Sequence, residues 1–114
     1  MIPDRETWLS GYRTLWMIVM FDLPVVEPEE RRAATRFRNS LLDHGFHMAQ
    51  FSIYYRLLSG RAAAQSLERK IAASVPAEGS VNILTITDKQ YENIKSFKGS
   101  RAEEPKKPDQ LKLF

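Results

Sequence analysis

Asp22 is the residue whose position in the sequence most directly suggests chemistry. It ends the stretch "MIVMFD" (residues 17–22) as the only charge in it, and Pro24 follows two positions later. An apolar run of this kind predicts a buried strand, which the proline ends. A carboxylate at a strand end can bind a hard cation such as Mg²⁺. Alternatively, Asp22 accepts hydrogen bonds from backbone N–H groups in the turn before Pro24.

Four arginines form a second set of candidates, and all of them fall in one predicted helix. Helical spacing places Arg31 and Arg38 on one side of that helix, and Arg32 and Arg36 on another, away from its apolar stripe. Arginine binds phosphate in a forked geometry, so these side chains could line a path for nucleic acid. The alternative is a solvated helix face, because several glutamates open the same helix.

Histidine, cysteine and serine chemistry is not expected. His44 and His47 are three residues apart, but they lie across a predicted helix end and no third ligand accompanies them. A zinc site is therefore not predicted. The absence of cysteine excludes thiolate chemistry and disulfides. Ser52 lacks a histidine–acid pair and is interpreted as a strand residue.

Length and composition indicate one globular domain. A chain of 114 residues can bury a single core but not two. The net charge of +3 and the pI near 9.3 favour nucleic acid only weakly. The sequence has no apolar span of about 20 residues and no signal peptide. We therefore expect a cytoplasmic protein without a membrane partner.

The first half of the chain predicts strand, helix, strand, strand. Residues 15–21 form the first strand, and the helix that follows has Pro28 in its first turn and Gly45 as its stop signal. Its predicted inward stripe consists of Ala33, Ala34, Phe37 and Leu41. The segment after Gly45 is strand-like and is expected to divide at a bend within residues 49–52.

The second half predicts helix, strand and a short helix. Gly60 opens the helix, and its predicted inward stripe repeats every four residues at Ala63, Leu67, Ile71 and Val75. The run "SVNILTIT" (residues 80–87) is rich in β-branched residues and predicts a strand. Thr87 and Gln90 have the spacing of a capping box, which predicts a short helix over 88–94.

This order of elements is the split βαβ, or ferredoxin-like, plan of the α+β class. In that plan both long helices cover one face of an antiparallel sheet. The first strand nevertheless offers apolar groups to both faces, and we expect such a small domain to have no spare element for the second. We therefore predict a homodimer with the two sheets packed face to face.

Three segments are predicted along the chain. Residues 1–14 form an N-terminal extension, 15–99 the ferredoxin-like domain, and 100–114 a linker and C-terminal strand. In the extension, Trp8, Tyr12 and Arg13 either contact nucleic acid or pack on their own domain. The tail is polar and proline-bearing until "QLKLF", whose alternation predicts a strand added to a sheet edge, with the partner protomer as the expected recipient.

Together these motifs resemble the "Cas two" family of small CRISPR-associated adaptation proteins, known as CRISPR-associated endoribonucleases. The resemblance rests on "MIVMFDLP", "ERRAATRFRNSLLDHGF", "QFSIYY" and "VNILTITDKQYENI", in that order over nearly the full chain. The leading "WLSGYR" and the terminal "QLKLF" are similar to the branch found with single-protein RNA-guided effector systems.

The resemblance implies a ferredoxin-like homodimer, often with its C-terminal strand on the partner's sheet. It also implies that the dimer acts between two dimers of the CRISPR integrase ("Cas one") on double-stranded spacer-precursor DNA. Some members are assigned magnesium-dependent endonuclease activity on single-stranded RNA or double-stranded DNA, with the aspartate at the position of Asp22 as the metal ligand. The family also places an arginine beside the serine matched by Ser52, where this chain has Phe51 and Met48.

Two functional hypotheses follow. In the first, the dimer is a DNA-binding scaffold for spacer acquisition and its own catalysis is dispensable. In the second, it is primarily a metal-dependent endoribonuclease or endonuclease in which Asp22 is essential. The basic helix favours the first hypothesis, and the acid at a strand end favours the second.

Overall fold

A four-stranded antiparallel sheet with two long helices on one face forms the body of the molecule. The computed structural model describes residues 13–99. The strands run in the order β2-β3-β1-β4, which confirms the ferredoxin-like α+β prediction. The elements are β1 (Thr14–Asp22), α1 (Pro28–Asp43), β2 (His47–Gln50), β3 (Ile53–Ser59), α2 (Arg61–Ala73), β4 (Ser80–Thr87) and α3 (Asp88–Glu92).

Both ends of α1 are closed by local hydrogen bonds. At its start the N–H of Glu27 donates to the Glu30 carboxylate at 2.8 Å, as in a capping box. At its end Gly45 adopts a φ of +84°, and the N–H of Phe46 reaches back to the carbonyl of Leu41 at 3.0 Å. This is a Schellman motif, which favours glycine at the left-handed position. The predicted stop at Gly45 is confirmed.

The main core lies between the sheet and the two long helices. Met17 and Val19 of β1 are fully buried there, because alternate residues of a strand share a face. The partners they meet are apolar residues of α1, α2, β3 and the loop after α1: Phe37, Leu41, Phe46, Tyr54, Leu58, Ala64, Leu67 and Ile71.

The predicted inward stripe of α2 is wrong at both ends. Ala63 is exposed and Ala64 is buried in its place, while Val75 lies beyond the helix and is 38 % exposed. The physical reason is the helical repeat of 3.6 residues. Steps of four residues turn the stripe by about 40° each time, so it drifts off the core over three steps.

The second face of the sheet is partly covered by α3, so the expectation that no element could reach it is wrong. Tyr91 of α3 stacks on Trp16 of β1, with ring centroids 3.7 Å apart and planes within 4°. The indole N–H of Trp16 donates to the Asp88 carboxylate at 2.8 Å. Apolar surface nevertheless remains on this face, because Leu57 and Leu84 are 52 % and 47 % exposed.

The bend predicted between β2 and β3 is present, and it contains Ser52. The residue has a φ of +64°, so it lies in a tight turn and not in a strand, contrary to the prediction. The carbonyl oxygen of Ser52 accepts the N–H of Phe21 at 3.0 Å. That hydrogen bond ties the turn to the end of β1.

Within residues 13–99, no helix has both the length and the apolar character needed to cross a membrane.

Candidate functional site

Asp22 ends β1 on the face of the sheet that the long helices do not cover. It pairs with Ser80 of β4 and shares its face with Met20, Ile18 and Trp16, two, four and six residues earlier. Its side chain is exposed. Among residues 13–99 no hydrogen bond reaches its carboxylate, so the alternative role in capping the turn before Pro24 finds no support in this part of the chain.

Gly79 packs directly against the backbone of Asp22. Its φ is +98°, and a Cβ placed on it would lie 2.7 Å from the Asp22 carbonyl oxygen and 2.8 Å from Leu23 Cδ2. Only glycine combines that backbone angle with such close approach. The turn before β4 therefore holds the end of β1, and with it the carboxylate.

A complete metal site is not formed by the described residues of a single chain. Within 13–99 no three histidine, aspartate or glutamate side chains cluster closely enough to hold one ion. Mg²⁺, however, is usually bound by one or two carboxylates together with water and substrate phosphates. The single exposed carboxylate of Asp22 is compatible with that ligand set.

Arg31 and Arg38 line one groove between α1 and the β2–β3 turn. The groove has a volume of about 290 Å³, and Phe51, Ser52 and Tyr54 form its other wall. Among residues 13–99, no carboxylate lines it. The groove is therefore basic on one wall and aromatic on the other.

The two arginines of this groove are held in place differently. Arg31 Nη1 donates to the carbonyl of Val26 at 2.6 Å, which fixes the side chain along the start of α1. The guanidinium of Arg38 lies near the hydroxyl of Tyr54, whose ring is buried. Burial raises the pKa of Tyr54 above its ordinary value, and the positive charge of Arg38 partly offsets that rise.

Arg32 and Arg36 lie on neighbouring surfaces of α1. Together with Arg31 they line a shallow groove of about 430 Å³. Arg36 also borders a groove of about 490 Å³ that contains four glutamates, among them Glu30 and Glu78. Carboxylates repel phosphates, so the basic path is best defined on the Arg31 and Arg38 side and weakest at Arg36.

The remaining candidate residues that the structure describes make contacts within the fold. His44 Nδ1 lies 2.7 Å from the carbonyl oxygen of Ser40 at the end of α1, and the ring of His47 packs against Tyr55. Trp8 and Tyr12 lie outside the described residues. The backbone carbonyl of Arg13 accepts a hydrogen bond from the N–H of Gly60 at 2.9 Å.

Two residues of the basic groove were not predicted from the sequence. Phe51 is 91 % exposed, and the bend predicted within residues 49–52 did not indicate which way its ring would face. The proximity of Tyr54 to Arg38 joins β3 to α1, and no local spacing signals it.

Comparison with known proteins places this geometry in one family. Residues 15–94 match the family model described as CRISPR associated protein Cas2. The chain belongs to the Cas2 family. The match runs from β1 to just beyond α3 and contains Asp22, the four arginines and Ser52, and it confirms the resemblance seen in the sequence.

Similar Cas2 proteins share most of their length with this chain. One from Paracidovorax avenae is 53 % identical, over 93 % of this chain and 99 % of the relative. One from Flavobacterium psychrophilum is 43 % identical over the full length of both, and one from Acidovorax ebreus is 46 % identical over 86 % of this chain and 98 % of its own. Each of the three is named CRISPR-associated endoribonuclease Cas2.

Proposed function

We propose that this Cas2 protein is a dimeric DNA-binding scaffold in CRISPR adaptation, where it bridges two dimers of the integrase. The observation that carries the proposal is the separation of two unlike surfaces. The exposed arginines lie on the outer side of α1, and the remaining apolar surface lies on the opposite side of the sheet. One surface suits DNA, and the other suits a second copy of the chain.

The apolar surface supports dimerisation even though α3 covers part of it. Leu57 of β3 and Leu84 of β4 stay about half exposed beside β1. Monomeric proteins rarely leave a contiguous apolar patch on a sheet open to water. In a face-to-face pair the twofold axis would run near the uncovered end of β1, which brings the two Asp22 carboxylates toward each other.

The basic surface supports binding to double-stranded spacer-precursor DNA. Arginine guanidinium groups bind phosphates in forked pairs, and each neutralised phosphate releases counterions. Arg31, Arg32, Arg36 and Arg38 are all exposed along α1. A twofold pair would present two such helices, one for each half of a duplex.

An endonuclease activity on single-stranded RNA or on double-stranded DNA is the second part of the proposal, supported by the endoribonuclease name of the relatives. Asp22 would be the essential residue because its carboxylate is exposed and has no hydrogen bond within residues 13–99. Bound Mg²⁺ would supply an activated water and stabilise negative charge on the phosphate. The role of Asp22 is to hold that ion, and the arginines hold the substrate.

Comparison of wild type with Asp22→Ala and Asp22→Asn tests both parts. The asparagine substitution keeps the shape of the side chain and removes its charge, so it separates packing from metal binding. Each protein is assayed for cleavage with Mg²⁺ and with EDTA, for mass by light scattering, and for spacer integration with the integrase. We expect both variants to lose cleavage while dimer mass and integration stay normal.

Two results would overturn this assignment in different ways. Cleavage by rigorously purified Asp22→Ala protein would remove Asp22 from catalysis. Loss of integration by a variant that still dimerises and binds DNA would show that the scaffold role alone is insufficient and that Asp22 chemistry is needed for adaptation.

A further inference from the structure

Among residues 13–99, Phe51 is the most exposed aromatic side chain on the basic side of the molecule. Its ring is 91 % exposed and forms part of the groove that Arg31 and Arg38 line. Val25 and Met48 in the same groove are also exposed, so the ring belongs to an apolar patch, and such patches mark binding sites. The groove lies on the helix side of the sheet, since Phe21 and Ala34 are also among its lining residues. A dimer formed through the opposite face would leave it open.

The turn that carries Phe51 is firmly held. Ser52, the next residue, takes a left-handed backbone with φ of +64°, and its carbonyl oxygen accepts the N–H of Phe21. Tyr54, two residues further on, is buried in the core. An aromatic ring on such an anchored turn loses little conformational entropy when a ligand stacks on it.

We propose that this groove binds an unpaired nucleotide of DNA or RNA, whose base stacks on Phe51 and whose phosphate meets Arg31 and Arg38. The proposal deepens the nucleic-acid role proposed above and rests on it. An exposed aromatic ring next to cationic side chains is the usual platform for single-stranded nucleic acid. The groove has room for a base, with a volume of about 290 Å³.

Charge decides between a nucleic acid and a protein as the occupant. Val25 and Met48 add exposed apolar surface to the groove, so a hydrophobic peptide would also find contacts there. Its lining residues within the described part of the chain nevertheless include two guanidinium groups and no carboxylate. Two positive charges beside an exposed ring favour a ligand that is both aromatic and anionic, as a nucleotide is.

Tyr54 is a positioning residue in this proposal. Its hydroxyl lies near the guanidinium of Arg38, and both residues line the groove. Tyr54→Phe removes the hydroxyl and leaves the buried ring in place. We expect the variant to bind single strands with a salt dependence flatter by about 0.7, the contribution of one phosphate contact. A purely structural role for the hydroxyl would leave that slope unchanged.

The test compares Phe51→Ala with Phe97→Ala, a matched control that removes an equally exposed phenylalanine, 87 % accessible, outside the groove. Binding is measured by fluorescence anisotropy on a blunt DNA duplex and on the same duplex with unpaired ends of DNA or of RNA. A 2-aminopurine in the first unpaired position reports stacking directly. Phe51→Trp serves as the conservative variant, because its larger ring also stacks.

We expect Phe51→Ala to weaken binding of the unpaired-end duplexes by roughly 5- to 150-fold, as loss of a stacking ring does. The affinity of Phe51→Ala for the blunt duplex should stay close to that of wild type, as should the affinities of Phe97→Ala and Phe51→Trp for all duplexes. The 2-aminopurine signal should change on binding only in proteins that have an aromatic ring at position 51. Comparison of the DNA and RNA ends shows which sugar the site prefers. A loss of affinity confined to either kind of unpaired end supports the proposal.

Three results would overturn the inference. Equal affinities of Phe51→Ala and Phe97→Ala for unpaired ends would mean that no base stacks there. An equal loss on blunt and unpaired duplexes would assign Phe51 to duplex contact. Loss of integrase binding alone would make the groove a protein-docking surface. Failure of the scaffold proposal would be seen separately, as wild type that does not bind blunt duplex.

Discussion

Replacing Gly79 by alanine should destabilise the protein through the end of β1. The new Cβ would lie 2.7 Å from the Asp22 carbonyl oxygen, on a backbone with φ of +98°. Such a backbone angle costs a residue with a Cβ about 1–2 kcal/mol, and forcing extra volume into a packed site costs about 1–3 kcal/mol more. We therefore expect a loss of about 2–5 kcal/mol in the free energy of unfolding, because the backbone contact cannot be relieved by a rotamer change.

The loss is measured by thermal and urea unfolding, with Gly99→Ala as the matched control. No atom lies within 4 Å of the position that a Cβ would take at Gly99, and its backbone angle is not left-handed. A domain of this size loses about 4–8 °C in Tm per kcal/mol, so Gly79→Ala should melt at least about 8 °C below the control. Melting of the two variants within about 2 °C of each other would refute the idea that this turn holds Asp22 in place.

The remaining predictions concern assembly, DNA, the tail and alkaline stability. The protein should elute at twice its chain mass of 13.2 kDa, and Leu84→Asp should yield monomers by light scattering; a wild-type monomer at micromolar concentration would contradict the dimer. Charge reversal at Arg32 and Arg36 should weaken DNA binding and flatten its salt dependence, whereas an unchanged slope would make them ordinary solvated residues. Deleting residues 110–114 should weaken dimerisation or integrase binding. Unchanged affinity for the second protomer and for the integrase would count against the predicted C-terminal strand on the edge of another sheet. Burial raises the pKa of Tyr54 above 10.0, so the folded state keeps the hydroxyl proton to a higher pH than the unfolded state does. The free energy of unfolding should therefore fall as pH rises past 10, and it should fall less steeply in Tyr54→Phe. Identical curves of stability against pH for the two proteins would exclude Tyr54 as the cause.

The order of elements and the face of Asp22 could be predicted from the sequence, because both follow from short-range patterns. Apolar periodicity marks each strand and long helix, and the strand repeat of two places Asp22 on the same face as Met20 and Ile18. The caps at Gly45 and at Thr87 were also predictable, since each depends on residues within one turn. The inward stripe of α2 was predicted wrongly at its ends because it was spaced every four residues, whereas the helix repeats every 3.6 residues.

Contacts between distant segments required the folded chain. Tyr91 of the last helix, α3, stacks on Trp16 of the first strand, β1. This contact covers part of the face that was expected to be bare. The approach of Gly79 to Asp22 and the proximity of Arg38 to Tyr54 likewise join separate elements. Local propensity carries no information on such pairs, because their geometry depends on how the helices and the sheet pack as a whole. The sequence alone therefore identified an acid and four arginines, while packing decided that Arg31 and Arg38 share a groove with an exposed Phe51.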